Sequence, residues 1–518
     1  MPHGTQESSP SPASPGFSAG PRLTRWLAAG GIVAVIALGA FLRFHAIGQK
    51  SLWLDEAATM NAIDASFAEV FRGVKAHDAH PPLYYLAVRA WVGRSHSGAL
   101  ARAFSAGVAA ASLALFYFLA HALLPRGAAL VAAAVLAASA FQVYFAQEAR
   151  PYALAAFFVV VAWYCLAHLV ASTWRRRWPL WLGLALANAA ALYTFYYTAF
   201  SVLAQGVALL ALWRRAGRRL LLGWAAWQCV PLACFSIWVP VILERMRLLG
   251  QFEAPVGRTV LSAEGLAATA AQFTCGFLAE LAGNAGPMVQ AAAAGLGLLV
   301  AVLAALAARR ERAAAAIALV WLLGPLAFLA ALPIRGHVYE PKHLAFAAPA
   351  LALAAGVVWS AARRGLRPLA ALLIAALLAA NIASLALYHR PDVEKANWRA
   401  ALREFAENVQ PGDIVTFSPP YTRLAFDHYA RGAPHIVVWH VPTPPAGEPF
   451  RAGELAQGRR VWLFQAASNV ERPNPRVLAA LEGYPQLLHW SHEGLVSTLG
   501  LWLFDTFKPG SRPAPRAP

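Results

Sequence analysis

Leu52-Trp53-Leu54-Asp55-Glu56-Ala57 follows closely on the first long apolar run of the chain, Trp26 to Phe44. Two adjacent carboxylates stand where the chain has barely left an apolar stretch, and His80-Pro81-Pro82 comes in the same connection. What flanks this stretch decides the fold. The chain has 518 residues, of which 59% are hydrophobic and 13% charged. Soluble domains carry roughly 25% charged residues. The apolar residues fall in runs of about 20, the length that crosses a bilayer core. This is the composition of a polytopic α-helical membrane protein.

Arg22 and Arg25 precede the first run, which is long and lacks a small-residue cleavage site, so it reads as an uncleaved span. Residues 1–21, rich in Ser, Pro and Gly, read as a disordered tail. Further spans are expected near 99–122, 128–146, 151–171, 179–195, 197–213, 220–243, 286–308, 313–333, 343–362 and 368–388, making eleven in all. The segment Pro81 to Val92 is apolar but interrupted by Arg89, and counting it as a span inverts every later loop. It reads as a helix lying at the interface.

Lys and Arg in the short loops give the orientation. One side carries sixteen arginines, among them Arg126, Arg175 to Arg177, Arg214, Arg215, Arg309, Arg310, Arg363 and Arg364. The short loops opposite carry only Arg150, Arg335 and Lys342. The N-terminus is therefore expected in the cytoplasm, with outer loops at 45–98 and 244–285. The net charge of +18 is accounted for by these clusters, so no nucleic-acid partner is expected.

Thirteen acids precede residue 390, and only Glu7 and Glu311 fall on the cytoplasmic side. That face cannot assemble the carboxylates that usually hold a metal–diphosphate of a nucleotide sugar. Chemistry is expected on the outer face, with a donor carried in the membrane. Residues 390–518 hold twelve acids and no run long enough to span, and they read as a small extracytoplasmic α/β domain. A helix is expected near 394–409, a turn at Pro411-Gly412-Asp413, and strands at Ile414 to Phe417, His435 to Trp439, Arg460 to Phe464 and Thr498 to Phe504. The end of the chain, rich in Pro and Arg, reads as a frayed tail. The four cysteines show neither a disulfide framework nor a metal spacing, and Cys275 falls in a loop.

Several short segments carry candidate chemistry. Trp53 reads as an interfacial anchor that holds Asp55 at the depth of a lipid phosphate, where a carboxylate can take a proton from an attacking hydroxyl. Neighbouring residues point apart, so Glu56 is not expected to reach the same substrate group. His80 precedes a helix fixed by two prolines, with Tyr84 and Tyr85 on its first turn. In Gln147-Glu148-Ala149-Arg150-Pro151-Tyr152, Glu148 is a candidate second carboxylate facing Asp55, and Arg150 a candidate partner for an anionic donor. Arg335, Lys342 and His343, in the segment Arg335 to His343, form a candidate clamp for a departing phosphate. For each segment a structural reading stands beside the functional one: a helix cap, a stiff turn, a local ion pair, or snorkelling to lipid.

These segments, in this order, resemble bacterial members of glycosyltransferase family 39, the protein-mannosyltransferase-like and aminoarabinose-transferase-like enzymes of the glycosyltransferase C superfamily. The resemblance is carried by Trp53-Leu54-Asp55-Glu56-Ala57, His80-Pro81-Pro82-Leu83 and Gln147-Glu148-Ala149-Arg150. It returns at Lys342-His343, where the family more often has Arg-Tyr, and at Asn397-Trp398-Arg399, Pro411-Gly412-Asp413 and Phe426-Asp427-His428-Tyr429. It implies inverting transfer of a sugar from a polyprenyl-phosphate donor to a lipid, glycan or protein acceptor, within a multi-pass protein of the plasma membrane. It also implies that Asp55 is the catalytic carboxylate. Glu148 stands where relatives often have Asp, and is carried as a further catalytic candidate. Glu56, His80, Tyr84, Arg150, Tyr152, Arg335, Lys342 and His343 are carried as substrate-binding candidates. Some superfamily members use a divalent metal; too few carboxylates converge here to expect one, and no other cofactor is expected. The competing readings are a flippase for lipid-linked saccharides and a non-catalytic envelope scaffold. A transporter should place charged residues inside its spans, and no acid falls in one here.

Overall fold

The computed structural model describes residues 21–77, 80–172, 176–249, 262–331, 339–418, 420–430, 437–438, 460–468, 481, 484–495 and 497–506. Among them, five helices are long and apolar enough to cross a membrane: Gly98–Leu123, Tyr152–Ala171, Gly283–Arg309, Arg312–Ala331 and Arg364–Tyr388. Two bent pairs are further candidates, Arg126–Ala138 with Ala140–Ala146 at 56° and Pro341–Ala347 with Pro349–Ala361 at 48°. Shorter apolar helices cover Ala29–Phe44 and Tyr196–Ala211. Large apolar side chains such as Leu38, Phe118, Leu203 and Leu298 are exposed on these helices, as lipid-facing surfaces require. The protein is a multi-pass α-helical membrane protein.

Eleven spans are expected from the sequence, and the structure adds that not all of them are single straight helices. Helices stand at the expected places, but 128–146 and 343–362 are bent, and 220–243 is broken among Trp213–Trp227, Cys229–Ser236 and Val239–Leu249. The first two bends interrupt the helical hydrogen-bond ladder, whose groups lipid cannot satisfy, and at both of them side chains from elsewhere add hydrogen bonds to the backbone. At Ser139, the Arg43 guanidinium donates to the carbonyls of Ala137 at 3.1 Å and Leu136 at 3.2 Å. The Asn381 side-chain oxygen takes the Ala140 N–H at 2.8 Å. At the second bend, Pro349 has no N–H to give the Ala345 carbonyl one turn back. Gln142 Nε2 donates to that carbonyl at 2.8 Å, and Trp321 Nε1 donates to Phe346 O at 3.0 Å.

The expected interfacial helix is Leu83–Val92, ten residues and too short to span. The expected outer loop 244–285 contains a helix, Ala263–Cys275, whose start is capped by Ser262 Oγ accepting from Gly265 N at 2.9 Å. Cys275 is thus buried at a helix end rather than standing in a loop. The expected tail at 1–21 lies outside the described residues, except that Pro21 opens the helix Pro21–Phe44.

After Tyr388 the chain forms the helix Trp398–Asn408 and strands β1 (Ile414–Ser418), β2 (Val437–Val438), β3 (Arg460–Ser468), β4 (Gln486–Glu493) and β5 (Ser497–Asp505). They make one sheet in the order β2-β1-β3-β5-β4, parallel among β1, β2 and β3 and antiparallel from β3 through β5 to β4. The turn before β1 rests on Gly412, whose φ of +91° suits a residue without Cβ. Asp413 closes it by accepting from Gln410 N at 2.9 Å and Trp462 Nε1 at 2.8 Å. β4 has no counterpart among the expected strands.

Trp53 is also corrected. It is only 6% exposed and belongs, with Ala57, to the apolar cluster of Trp398, Phe405, Phe417, Phe426 and Trp462. The residue expected to anchor in the membrane interface instead inserts into the C-terminal α/β region. The helix Leu54–Ala62 is therefore the joint between the membrane helices and the sheet.

Candidate functional site

Trp53 is extended, with ψ at 175°, and the chain turns into Leu54–Ala62 immediately after it. This places Asp55 and Glu56 in the first turn, where unpaired N–H groups and the helix dipole favour carboxylates. One peptide unit rotates them about 100° apart on the helix, and their surroundings diverge completely.

Glu56 is 0% exposed. It accepts from Arg102 Nε at 2.7 Å and from Ala149 N at 2.9 Å, and reaches back to Trp53 N at 3.4 Å. Burial pushes this carboxyl up, but the Arg102 guanidinium, the charge of Lys395 and the Ala149 amide outweigh it and hold it below the ordinary value. Arg102 also donates to the carbonyls of Ile47, Lys50 and Ser51. Glu56 is therefore a structural carboxylate that fixes the loop before the helix, and not the substrate ligand read from the sequence.

Asp55 faces the other way, with its side chain 30% exposed and Oδ2 3.8 Å from Arg150 Nη2. Arg150 gathers this face: Nη1 donates to Thr59 Oγ1 at 3.4 Å and Tyr85 Oη at 3.3 Å, and Nη2 lies 3.3 Å from His80 Nδ1. The His80 ring stacks on Phe195 at 5.5 Å. Lys342 sits over the Trp53 ring at 5.4 Å and pairs with Glu340 at 3.0 Å. His343 stacks on Tyr197 at 5.1 Å. Tyr152 meets Phe195 edge-on at 5.7 Å, its hydroxyl in the field of Lys342, Arg150 and Asp55.

Asp55, His80, Arg150, Tyr152, Lys342 and His343 are thus drawn towards one face, although they come from four separate stretches of chain. Other candidates are not. Tyr84 is 0% exposed and shares a hydrogen bond with Ser105 Oγ at 3.1 Å. Burial raises its hydroxyl pKa, and its neighbour Tyr85 reaches Arg150 instead. Glu148 is 1% exposed and does not serve as an open second carboxylate; Lys395 Nζ donates to it at 2.9 Å. Burial drives Glu148 up against the pull of Lys395, and drives Lys395 down against the pull of Glu148. Arg335 lies outside the described residues.

Three features escaped the sequence reading: the Arg102 partner of Glu56, the Lys395 partner of Glu148, and the aromatic wall Phe195-Tyr196-Tyr197. The wall had a signal, three consecutive aromatics between two apolar runs. Among the described residues no group of three or more His, Cys, Asp or Glu side chains is placed to hold a metal ion.

The fold has counterparts among solved structures. ArnT from Cupriavidus metallidurans in the apo state superposes with a TM-score of 0.54 at 14% identity, over 92% of this chain and 98% of that one. ArnT bound to undecaprenyl phosphate gives 0.53 at 14% identity, over 93% and 99%. The Archaeoglobus fulgidus oligosaccharyltransferase tethered with an acceptor peptide gives 0.50 at 11% identity, over 92% and 74%. The chain shares the fold of these ArnT structures. This agrees with the resemblance read from the sequence. No family model matches the chain, and no curated protein matches it by sequence.

Proposed function

We propose that the protein is an integral membrane glycosyltransferase that moves a sugar from a polyprenyl-phosphate donor to an acceptor hydroxyl on the outer face of the plasma membrane. The carrying observation is the separation of Asp55 from its neighbours: Glu56 and Glu148 are sealed in buried ion pairs, while Asp55 stays partly open beside Arg150. The fold shared with an ArnT structure bound to undecaprenyl phosphate supports a lipid-linked donor.

In this reading the acceptor oxygen attacks the anomeric carbon from the side opposite the phosphate. The new C–O bond forms as the sugar–phosphate bond breaks, and the configuration inverts. The hydroxyl proton passes to Asp55, which acts as general base. The bond electrons leave with the polyprenyl phosphate, whose growing charge is met by Arg150 and Lys342. The guanidinium can bind phosphate through two parallel N–H groups, whereas Lys342 contributes a point charge. His80, Tyr152 and His343 line the space for donor and sugar. The N-terminus is cytoplasmic, the sheet region lies outside, and the acceptor is a lipid, glycan or protein.

Comparing lipid-linked sugars and envelope glycans in cells with and without the gene tests the reading. Accumulation of one polyprenyl-phosphate sugar, with loss of one envelope modification, is expected and identifies the donor. Unchanged pools and glycans would remove it. Accumulation on the cytoplasmic leaflet alone would favour a flippase.

A further inference from the structure

The C-terminal region grips the Asp55 helix at both ends. On the approach to the helix, Ser51 N donates to Glu394 Oε2 at 2.9 Å, and Arg399 donates to the carbonyls of Gln49 at 2.6 Å and Gly48 at 3.0 Å. The Tyr429 hydroxyl serves both backbone groups of Leu52, accepting from its N–H at 2.5 Å and donating to its carbonyl at 3.4 Å. At the far end, Asn61 Nδ2 donates to Leu424 O at 2.8 Å.

A second connection runs through charge. Lys395 carries its ammonium to Glu148 at 2.9 Å and over the Tyr144 ring at 4.1 Å, and is 1% exposed. The next amide, Ala149 N, donates to Glu56 at 2.9 Å, and the residue after it is Arg150, the partner of Asp55. One buried line of contacts thus joins the sheet region to both sides of the Asp55–Arg150 pair. The backbone of Lys395 is itself held by the β4–β5 hairpin: Leu495 N donates to Glu394 O at 2.8 Å and Ser497 N to Lys395 O at 3.3 Å. A Cβ on Gly494 would lie 2.3 Å from the Lys395 carbonyl oxygen. Buried ion pairs are weak net stabilisers because both charges lose water. Their geometric exactness is the better reason to keep one at this junction.

We propose that the C-terminal sheet region is a positioning element of the transfer reaction, with Tyr429 and Lys395 as positioning residues that hold Asp55 in register with Arg150. The proposal rests on the function proposed above. A misplacement of about 1 Å at a catalytic base can cost on the order of 100-fold in rate. The region thus acts through alignment without touching substrate.

Two measurements test it on the full-length chain in proteoliposomes. The first uses the polyprenyl-phosphate sugar recovered from cells lacking the gene. Tyr429→Phe and Lys395→Met should lower kcat at least tenfold while the donor KM stays within twofold, and Tyr429→Phe should leave the melting temperature unchanged. The second needs no turnover: Asp55→Cys, in a background with Cys165, Cys229, Cys234 and Cys275 replaced by Ala, is labelled with a membrane-impermeant maleimide. Adding Tyr429→Phe should change the labelling rate at least fivefold. Wild-type kcat in both variants, with an unchanged labelling rate on adding Tyr429→Phe, would overturn the positioning role. A changed labelling rate with no transfer by the wild-type chain would sink the proposed function while leaving the mechanical link standing.

Discussion

The two faces of the helix Leu54–Ala62 use the same residue types to opposite ends. On one face, Glu56 with Arg102 and Glu148 with Lys395 are enclosed ion pairs, none of the four side chains more than 3% exposed. On the other, Asp55 with Arg150 and Glu340 with Lys342 are looser, with the carboxylates 30% and 28% exposed. The enclosed carboxylates are committed to one geometry, Glu56 by several donors and Glu148 by the Lys395 ammonium. The open pairs keep acceptor capacity for a substrate. What separates an architectural carboxylate from a reactive one here is enclosure: Glu56 and Glu148 are shut away from solvent, whereas Asp55, in the same helical turn as Glu56, stays 30% exposed.

The contrast is most exposed at Asp55→Asn. It should lower kcat by about 10²–10⁴-fold, the usual contribution of a general base, with normal insertion and melting. Turnover at the wild-type rate would erase the distinction between the two faces. Glu56→Ala should act on the fold instead: it strands Arg102 in the interior, and breaking a buried pair costs about 3–5 kcal/mol. Thermal melting in detergent checks this, and a variant that melts normally yet transfers nothing would exchange the roles of the two acids. Glu340→Gln releases Lys342 from a partly exposed pair worth about 0.5–1 kcal/mol. The donor KM should then fall by about two- to fivefold; a rise would show that Glu340 binds the sugar.

The smallest effect concerns acid. The carboxyl of Glu56 is held below its ordinary value in the folded chain, so its stabilisation is complete above about pH 4.3, the unfolded value. It disappears as the pH falls through the folded value. Glu148 has the opposite sign, since its raised carboxyl loses stability as the pH climbs from the unfolded value. The melting temperature should drop on acidification below about pH 4.3, and Glu56→Gln should flatten that drop. An identical acid profile in the variant would remove Glu56 as its source.

Hydrophobic length and arginine placement made the membrane helices legible, because both are local properties of the chain. The bends were not. Ser139 is a weak helix breaker, and the Arg43 and Asn381 that make its break tolerable lie far away in sequence. Proline signals at Pro341 and Pro349 were visible, but a bent span and a straight one have the same hydropathy. In the site, Asp55, His80, Arg150 and Lys342 could be picked out as polar residues beside apolar runs. The fate of Glu148 depends on Lys395, 247 residues later, and no local pattern encodes that meeting. β4 escaped because Gln486–Glu493 is a polar edge strand with only alternate residues half-buried.

The Arg43 contact also bears on how the chain is made. The break at Ser139 belongs to a later segment, yet a donor to its carbonyls arrives on a helix synthesised before it. In lipid each unsatisfied carbonyl costs several kcal/mol, so the bent segment has no comfortable resting state until the first helix is beside it. The opening helix is thus a template against which a later one is shaped, and a fragment starting at Gly98 would keep the helical hairpins but lose the partner that lets one of them bend.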